Sequence, residues 1–189
     1  MLKTKAIYGA NGSGKSNLIF ALQTMKLITI NSFKDDKILK NIIPFALLKQ
    51  KRKEPSFFQI VFKLDNVIYR YGFEADNSKI VSEWLFGTPE QRETYYFQRE
   101  GNDIKVNKKR FEEGHKIQEL ITENSSLVRS NALFLSVVSA LNGKIATNII
   151  NWIDSVIILG GINSGDYKNV RKELFFDKEF TSNINNFFK

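Results

Sequence analysis

The chain holds 189 residues, 42% of them hydrophobic, with three Pro and eleven Gly, which fits one globular domain and excludes collagen-like, low-complexity and wholly disordered chains. The absence of cysteine excludes a disulfide framework, a thiolate metal site and a cysteine nucleophile, and the single histidine, His115, excludes a multi-histidine metal cluster. Lys and Arg outnumber Asp and Glu by 28 to 20, and the resulting charge of +8 favours contact with polyanions without selecting a fold.

Ala6-Ile7-Tyr8 reads as the end of a strand, followed by a Gly-rich turn. Lys15 to Ile30 then reads as a helix, because Leu18, Ile19, Leu22, Met25 and Leu27 recur at near-helical spacing. Asn31-Ser32 ends it, and Asp35 to Ile43 predicts a shorter helix stopped at Pro44. From Ser56 to Val106 the period changes to two. Runs such as Phe58-x-Ile60-x-Phe62-x-Leu64 and Val67 to Phe73 are separated by Asp65-Asn66, Asp76-Asn77-Ser78, Gly87-Thr88-Pro89 and Gly101-Asn102-Asp103. That pattern predicts an antiparallel meander of four or five strands. A polar helix over Glu112 to Thr122 follows, then an apolar strand-like run from Ala132 to Leu141 and a helix over Ile145 to Asp154. Val156 to Leu159 reads as a buried strand and Asp166 to Lys189 as a weak helix. The chain thus divides into 1–31 (strand, loop and helix), 56–106 (β-subdomain) and 107–189 (mainly helical, with one or two strands). No apolar run reaches the ~18 residues of a membrane span, and the first residues lack a secretion signal, so the expected compartment is the cytoplasm and no membrane partner is expected.

One motif carries chemistry: Gly9-Ala10-Asn11-Gly12-Ser13-Gly14-Lys15-Ser16 matches G-x-x-x-x-G-K-[ST], the Walker A or P-loop pattern. Phosphate oxygens need several backbone N–H donors converging from a tightly curled loop, which glycine permits. The positive end of the following helix then faces the anion. Lys15 is expected to reach the β- and γ-phosphates, and the Ser16 hydroxyl to ligate Mg²⁺. A chance match in a chain of this length is on the order of one per cent, and the flanking strand and helix lower it further.

The acid-ending strand that usually holds Mg²⁺ and orients water is not evident. Leu174-Phe175-Phe176-Asp177 is one apolar residue short, the run up to Asp154 is interrupted by Asn151 and has helical spacing, and Gly160-Gly161 follow Val156 to Leu159 where the acid belongs.

The string Tyr8 to Leu18 resembles the start of the ABC-type heads of RecF, SMC and OLD-like ATPases, and in particular the bacterial AAA family ATPases or ATP/GTP phosphatases linked with anti-phage defence. Val67 to Phe73 with Ser82-Glu83-Trp84-Leu85 is similar to that family's "YrYgfe … eEwL" stretch, and Arg129 to Ser136 to its "R-x-N-A-L-F-L-S" segment. The resemblance spans roughly residues 1 to 160. It implies an α/β fold, a P-loop NTPase of ABC-ATPase type with an antiparallel β-meander subdomain. It further implies ATP and Mg²⁺ bound by Gly9 to Asn17, with Lys15 catalytic through its stabilisation of transferred charge and Ser16 on the metal. Hydrolysis in such heads occurs between two of them, so a second head or homodimer and a separate effector protein are the implied partners. Only eight residues precede Gly9, and the signature motif, acidic strand and switch histidine of the family belong to a C-terminal half not found here. The expectation is therefore an incomplete head, the N-terminal part of a longer ATPase, with little turnover on its own.

An alternative is a nucleic-acid-binding module with a vestigial loop. Lys49 to Lys53 and Lys108-Lys109-Arg110 would then contact phosphates, and Tyr69, Tyr71, Tyr95, Tyr96 and Phe97 would stack on bases. The plainer reading makes the first set solvated loop charges and the second sheet residues. Glu112-Glu113 reads as a solvated helix terminus or an acid–base pair, His115 as a surface residue, and Arg129 as a phosphate contact or half of an ion pair. A third reading is a gene remnant that folds poorly.

Overall fold

The computed structural model describes residues 6–43, 54–123 and 128–158. The chain divides into two compact units, one of Met1–Ile19 with Val156–Lys189 and one of Phe20–Ser155. In the first unit, residues 6–10 are irregular rather than the expected strand, and Ile7 and Tyr8 are exposed. A strand exists only where a neighbour takes its N–H and C=O groups, and among the described residues none pairs with this segment. Helix α1 (Lys15–Asn31) follows the loop. Residues 156–158 are also irregular, and Leu159 lies outside the described residues, as does the expected helix over 166–189.

The second unit is built on a five-stranded antiparallel meander in sequential order. Its strands are β1 (Ser56–Leu64), β2 (Val67–Ala75), β3 (Ile80–Thr88), β4 (Thr94–Glu100) and β5 (Asp103–Val106). Asp65 and Asn66 both adopt positive φ (47° and 65°), the left-handed pair that a two-residue hairpin requires. Asp76 Oδ1 accepts from the N–H groups of Ser78 and Lys79 and closes the next turn. The inner face carries the row Ile60, Tyr71, Leu85, Phe97 and Val106 and, beside it, Phe58, Phe73, Glu83, Arg99 and Ile104. A bulge between Leu85 and Phe86 inserts one residue into β4, so Tyr96 and Phe97, adjacent in sequence, are both buried. Without it one of those rings would face solvent.

Helices α2 (Glu112–Glu123), α3 (Phe134–Ala140) and α4 (Lys144–Ser155) complete the unit. The run from Ala132 to Leu141, read from sequence as a strand, is thus mostly helix α3. Apolar periodicity cannot separate a buried strand from a helix buried all round, and Phe134 to Val138 are all buried. The expected helix over Asp35 to Ile43 is one turn of 3₁₀-helix, Ile38–Asn41. Aromatic packing joins the layers: Phe62 stacks on Trp152 at 4.1 Å between centroids, and Phe97 meets Phe134 edge-on at 5.0 Å. Helix α3 ends with Asn142 at φ 63°, where Gly143 N–H reaches Val138 O (2.9 Å) and Asn142 N–H reaches Ser139 O (3.0 Å). This left-handed stop turns the chain directly into α4.

Neither short helix is capped from its own sequence. Glu83, on β3, accepts the first N–H groups of α3, from Phe134 at 2.6 Å and Leu135 at 3.0 Å. Glu113, on α2, accepts Ala146 N–H of α4 at 2.9 Å. Each carboxylate satisfies donors that would otherwise be orphaned and stands at the positive helix end. Glu83 also accepts from the Tyr71 hydroxyl (3.1 Å). Arg99, its partner across the sheet, stands 3.9 Å away and spends its hydrogen bonds on Gly101 O (2.7 Å) and Ala132 O (2.6 Å). Burial raises the Glu83 carboxyl above its usual range against the pull of Arg99, the two backbone N–H groups and Tyr71. Burial likewise lowers the Arg99 guanidinium and raises the Tyr71 phenol, which stays a donor. The pair is therefore a costly buried charge arrangement that fixes where α3 begins.

Candidate phosphate-binding site

Residues Gly9 to Ser16 curl into a closed loop ahead of α1. Gly12 and Gly14 take φ of +79° and +90°, outside the comfortable range of residues with a Cβ. Ser13 N–H closes onto Ala10 O (3.2 Å), and the N–H groups of Asn17 and Leu18 both reach Gly14 O (3.0 and 3.3 Å). Gly9 is required by close approach instead, since a Cβ there would meet Ser13 Oγ at 2.6 Å. The Lys15 ammonium folds back over the loop, donating to Gly9 O (2.6 Å), Ala10 O (2.7 Å) and Ser13 Oγ (3.4 Å). Those bonds satisfy inward carbonyls and leave the cation at the loop itself.

The donors left over decide what the loop suits. Among the described residues, the N–H groups of Gly14, Lys15 and Ser16 take no hydrogen bond, nor does the Ser16 hydroxyl. No heavy atom lies within 4 Å of the Cβ position of Gly12 or Gly14, so open space flanks both. The first turn of α1 contains no acidic residue to neutralise the helix end. A donor set without carboxylates, beside a lysine and a helix N-terminus, fits a phosphate group. The exposed hydroxyl of Ser16 offers one hard oxygen to a Mg²⁺ ion. Among the described residues no group of three or more His, Cys, Asp or Glu could hold a metal by itself.

The other sequence candidates disperse. Asp154 lies in helix α4, exposed, and ion-pairs with Lys26 at 3.3 Å. Asp177 and the Lys49 to Lys53 cluster lie outside the described residues. Arg110 pairs with Glu90 at 3.5 Å. Tyr69, Tyr71, Tyr96 and Phe97 are buried sheet residues, as the plainer reading had them, which rules out the alternative of a stacking platform and leaves Tyr95, of that set, exposed. Glu112 pairs with Lys116 while Glu113 caps α4, so the two carboxylates serve different partners. His115 stands 3.5 Å from Glu119, an acid partner not evident from sequence. Arg129 donates to Ser32 O (3.1 Å) and Phe33 O (2.6 Å) just beyond the end of α1, and among the described residues no carboxylate pairs with it. There it meets the carbonyl-rich helix end, where a cation is favoured.

Sequence reasoning passed over the buried set of Glu83, Arg99 and Tyr71. The signal was present: in an alternating strand, a charged residue at an inward position must have a partner. No described helix is long and apolar enough to cross a membrane.

No curated protein and no solved structure matches the chain. One family model does, over residues 6–184, and its description reads "AAA domain, putative AbiEii toxin, Type IV TA system". The match takes in the loop, the meander and helices α1 to α4, and the chain belongs to this family of AAA domains, whose P-loop implies nucleotide binding.

Proposed function

We propose that the chain binds ATP with Mg²⁺ through Gly9 to Asn17, as part of an ABC-type ATPase head. The observation that carries this reading is the set of unpaired N–H groups of Gly14, Lys15 and Ser16 beside the Lys15 ammonium. In this reading the N–H groups hold phosphate oxygens, and Lys15 exchanges its bonds to Gly9 O and Ala10 O for oxygens of the β- and γ-phosphates. Ser16 supplies a ligand to Mg²⁺, which when bound neutralises charge on the transferred phosphoryl group. Of the described strands only β4 ends in an acid, Glu100, and it follows the polar pair Gln98-Arg99 rather than an apolar run, so turnover is assigned to an assembly in which the acid and a second head are supplied to this site. The reading extends to a role in defence for that assembly, with the effector a separate protein; the family description itself speaks of an AbiEii toxin and a Type IV TA system.

Calorimetric titration with ATP and Mg²⁺ tests the reading. The chain is expected to bind saturably, and Lys15→Ala to weaken binding at least about tenfold through loss of a charge-assisted hydrogen bond. Equal affinity in both proteins refutes the assignment. A steady-state assay of the same chain should show little ATP turnover, and robust hydrolysis would remove the need for a second head.

A further inference from the structure

The two edges of the meander are finished differently. β5 is four residues long, alternates Asp103 and Lys105 with apolar residues, and has its Ile104 carbonyl capped by Gln118 of α2 at 2.6 Å. Short length, charge and a covering helix are the usual protections of a sheet edge against pairing with another chain. β1 has one charge, Lys63, but neither the short length nor, among the described residues, a hydrogen bond from a covering helix at its edge. It is nine residues long, pairs with β2 throughout without a register shift and contains no Pro. Among the described residues no backbone hydrogen bond outside the ladder with β2 reaches it. Its outward side chains Phe57 and Val61 are each 58% exposed.

We infer that the free edge of β1 pairs antiparallel with β1 of a second copy of this chain, joining two meanders into one ten-stranded sheet. The strand is self-complementary about Ile60. In a two-fold register Ile60 faces its own counterpart, Phe58 faces Phe62 and Gln59 faces Val61, so inward residues stay opposite inward ones. Phe57 faces Lys63, and by symmetry this happens twice. No two like charges meet, and each ammonium lies against an exposed ring. This interface involves neither the phosphate loop nor nucleotide, and stands whether or not that site binds ATP. A polyanion or a foreign peptide fits less well, because the outward face near β1 mixes Arg70 and Lys63 with Glu74 and Glu93, and Arg70 is already paired with Glu93 at 2.9 Å.

Sedimentation velocity of the full chain over a concentration series tests the proposal. The wild type should show a monomer–dimer equilibrium that strengthens with added salt, since each copy carries +8 and screening removes their mutual repulsion. Phe57→Lys places Lys opposite Lys63 at both ends and should weaken the dimer by about tenfold. Phe57→Glu loses the same contact with Trp84 but should dimerise at least as well as the wild type, and Phe57→Lys with Lys63→Glu should recover dimerisation. Circular dichroism confirms that each variant is folded. A wild type that stays monomeric throughout, or equal dimerisation of the Lys and Glu variants, overturns the proposal.

Discussion

Glu83→Ala is expected to lower the free energy of unfolding by about 3–5 kcal/mol, the scale of removing one member of a buried charged pair. The substitution strips three sets of partners at once. The N–H groups of Phe134 and Leu135 lose their acceptor, the Tyr71 hydroxyl loses its own, and Arg99, with its side chain 1% exposed, loses its counter-charge. Urea denaturation followed by the fluorescence of Trp84 and Trp152 measures the loss. Glu83→Gln keeps one acceptor oxygen but, like Ala, removes the counter-charge of Arg99 and sets an amide donor where the other oxygen accepts, so it should be milder than Glu83→Ala only by the ~1 kcal/mol of a retained hydrogen bond. Replacing both residues, as Glu83→Met with Arg99→Met, should cost less than the sum of the single changes, because no charge is left buried alone. A loss below about 1 kcal/mol for Glu83→Ala would mean that α3 does not depend on this cap.

The same residue has a pH signature. Burial raises its carboxyl above the usual 4.5, so the folded chain holds that proton to higher pH than the unfolded chain. The stability it contributes is full below 4.5 and is lost as pH rises through the folded value. Unfolding curves at successive pH values should show this decline in the wild type, and Glu83→Gln should lack it.

Gly72→Val is expected to cost about 3 kcal/mol, at the upper end of overpacking effects. Its φ is not in the left-handed region, so the glycine is required for space. A Cβ there would lie 2.6 Å from Phe58 O and 2.6 and 2.8 Å from atoms of the Trp84 ring. That ring lies across Gly72 toward β1, where Nε1 donates to Gln59 Oε1 (3.2 Å) and the indole meets Phe57 at 5.4 Å between centroids. A side chain at position 72 must lift the indole off the sheet or push β1 away from β2. Thermal or urea unfolding measures the cost, and the shift of Trp84 emission to longer wavelength shows which group moved. Pairing Gly72→Ala with Trp84→Ala should recover part of the loss. Additive costs would show that the indole is not what excludes a side chain there.

Local rules made much of this chain legible. Period-two runs between Asp65-Asn66, Asp76-Asn77-Ser78 and Gly101-Asn102 placed the meander over 56–106, because each turn residue has its own backbone reason to be there. The helices expected over Lys15 to Ile30, Glu112 to Thr122 and Ile145 to Asp154 match α1, α2 and α4 to within about one residue at each end. The loop from Gly9 to Ser16 was legible for the same reason: its two positive-φ positions, Gly12 and Gly14, lie within three residues ahead of the lysine. Where both readings of a segment were locally acceptable, spacing failed. The apolar run from Ala132 to Leu141 is as good a strand as a helix until something supplies acceptors for its first N–H groups. Arg129 could have faced a phosphate or an acid, and went instead to two carbonyls about 96 residues away in sequence.

By itself, then, the sequence determined the turns, the alternating strands, the long helices and the phosphate loop, since each depends on the dihedral preferences and side-chain spacing of neighbouring residues. Only the tertiary structure decided that α3 is a helix, that Tyr96 and Phe97 are both buried, and that Glu83, Glu113 and Arg129 serve helix ends. These outcomes depend on which donor or acceptor is brought near from a distant part of the chain, and a buried backbone group takes whatever partner the packing provides.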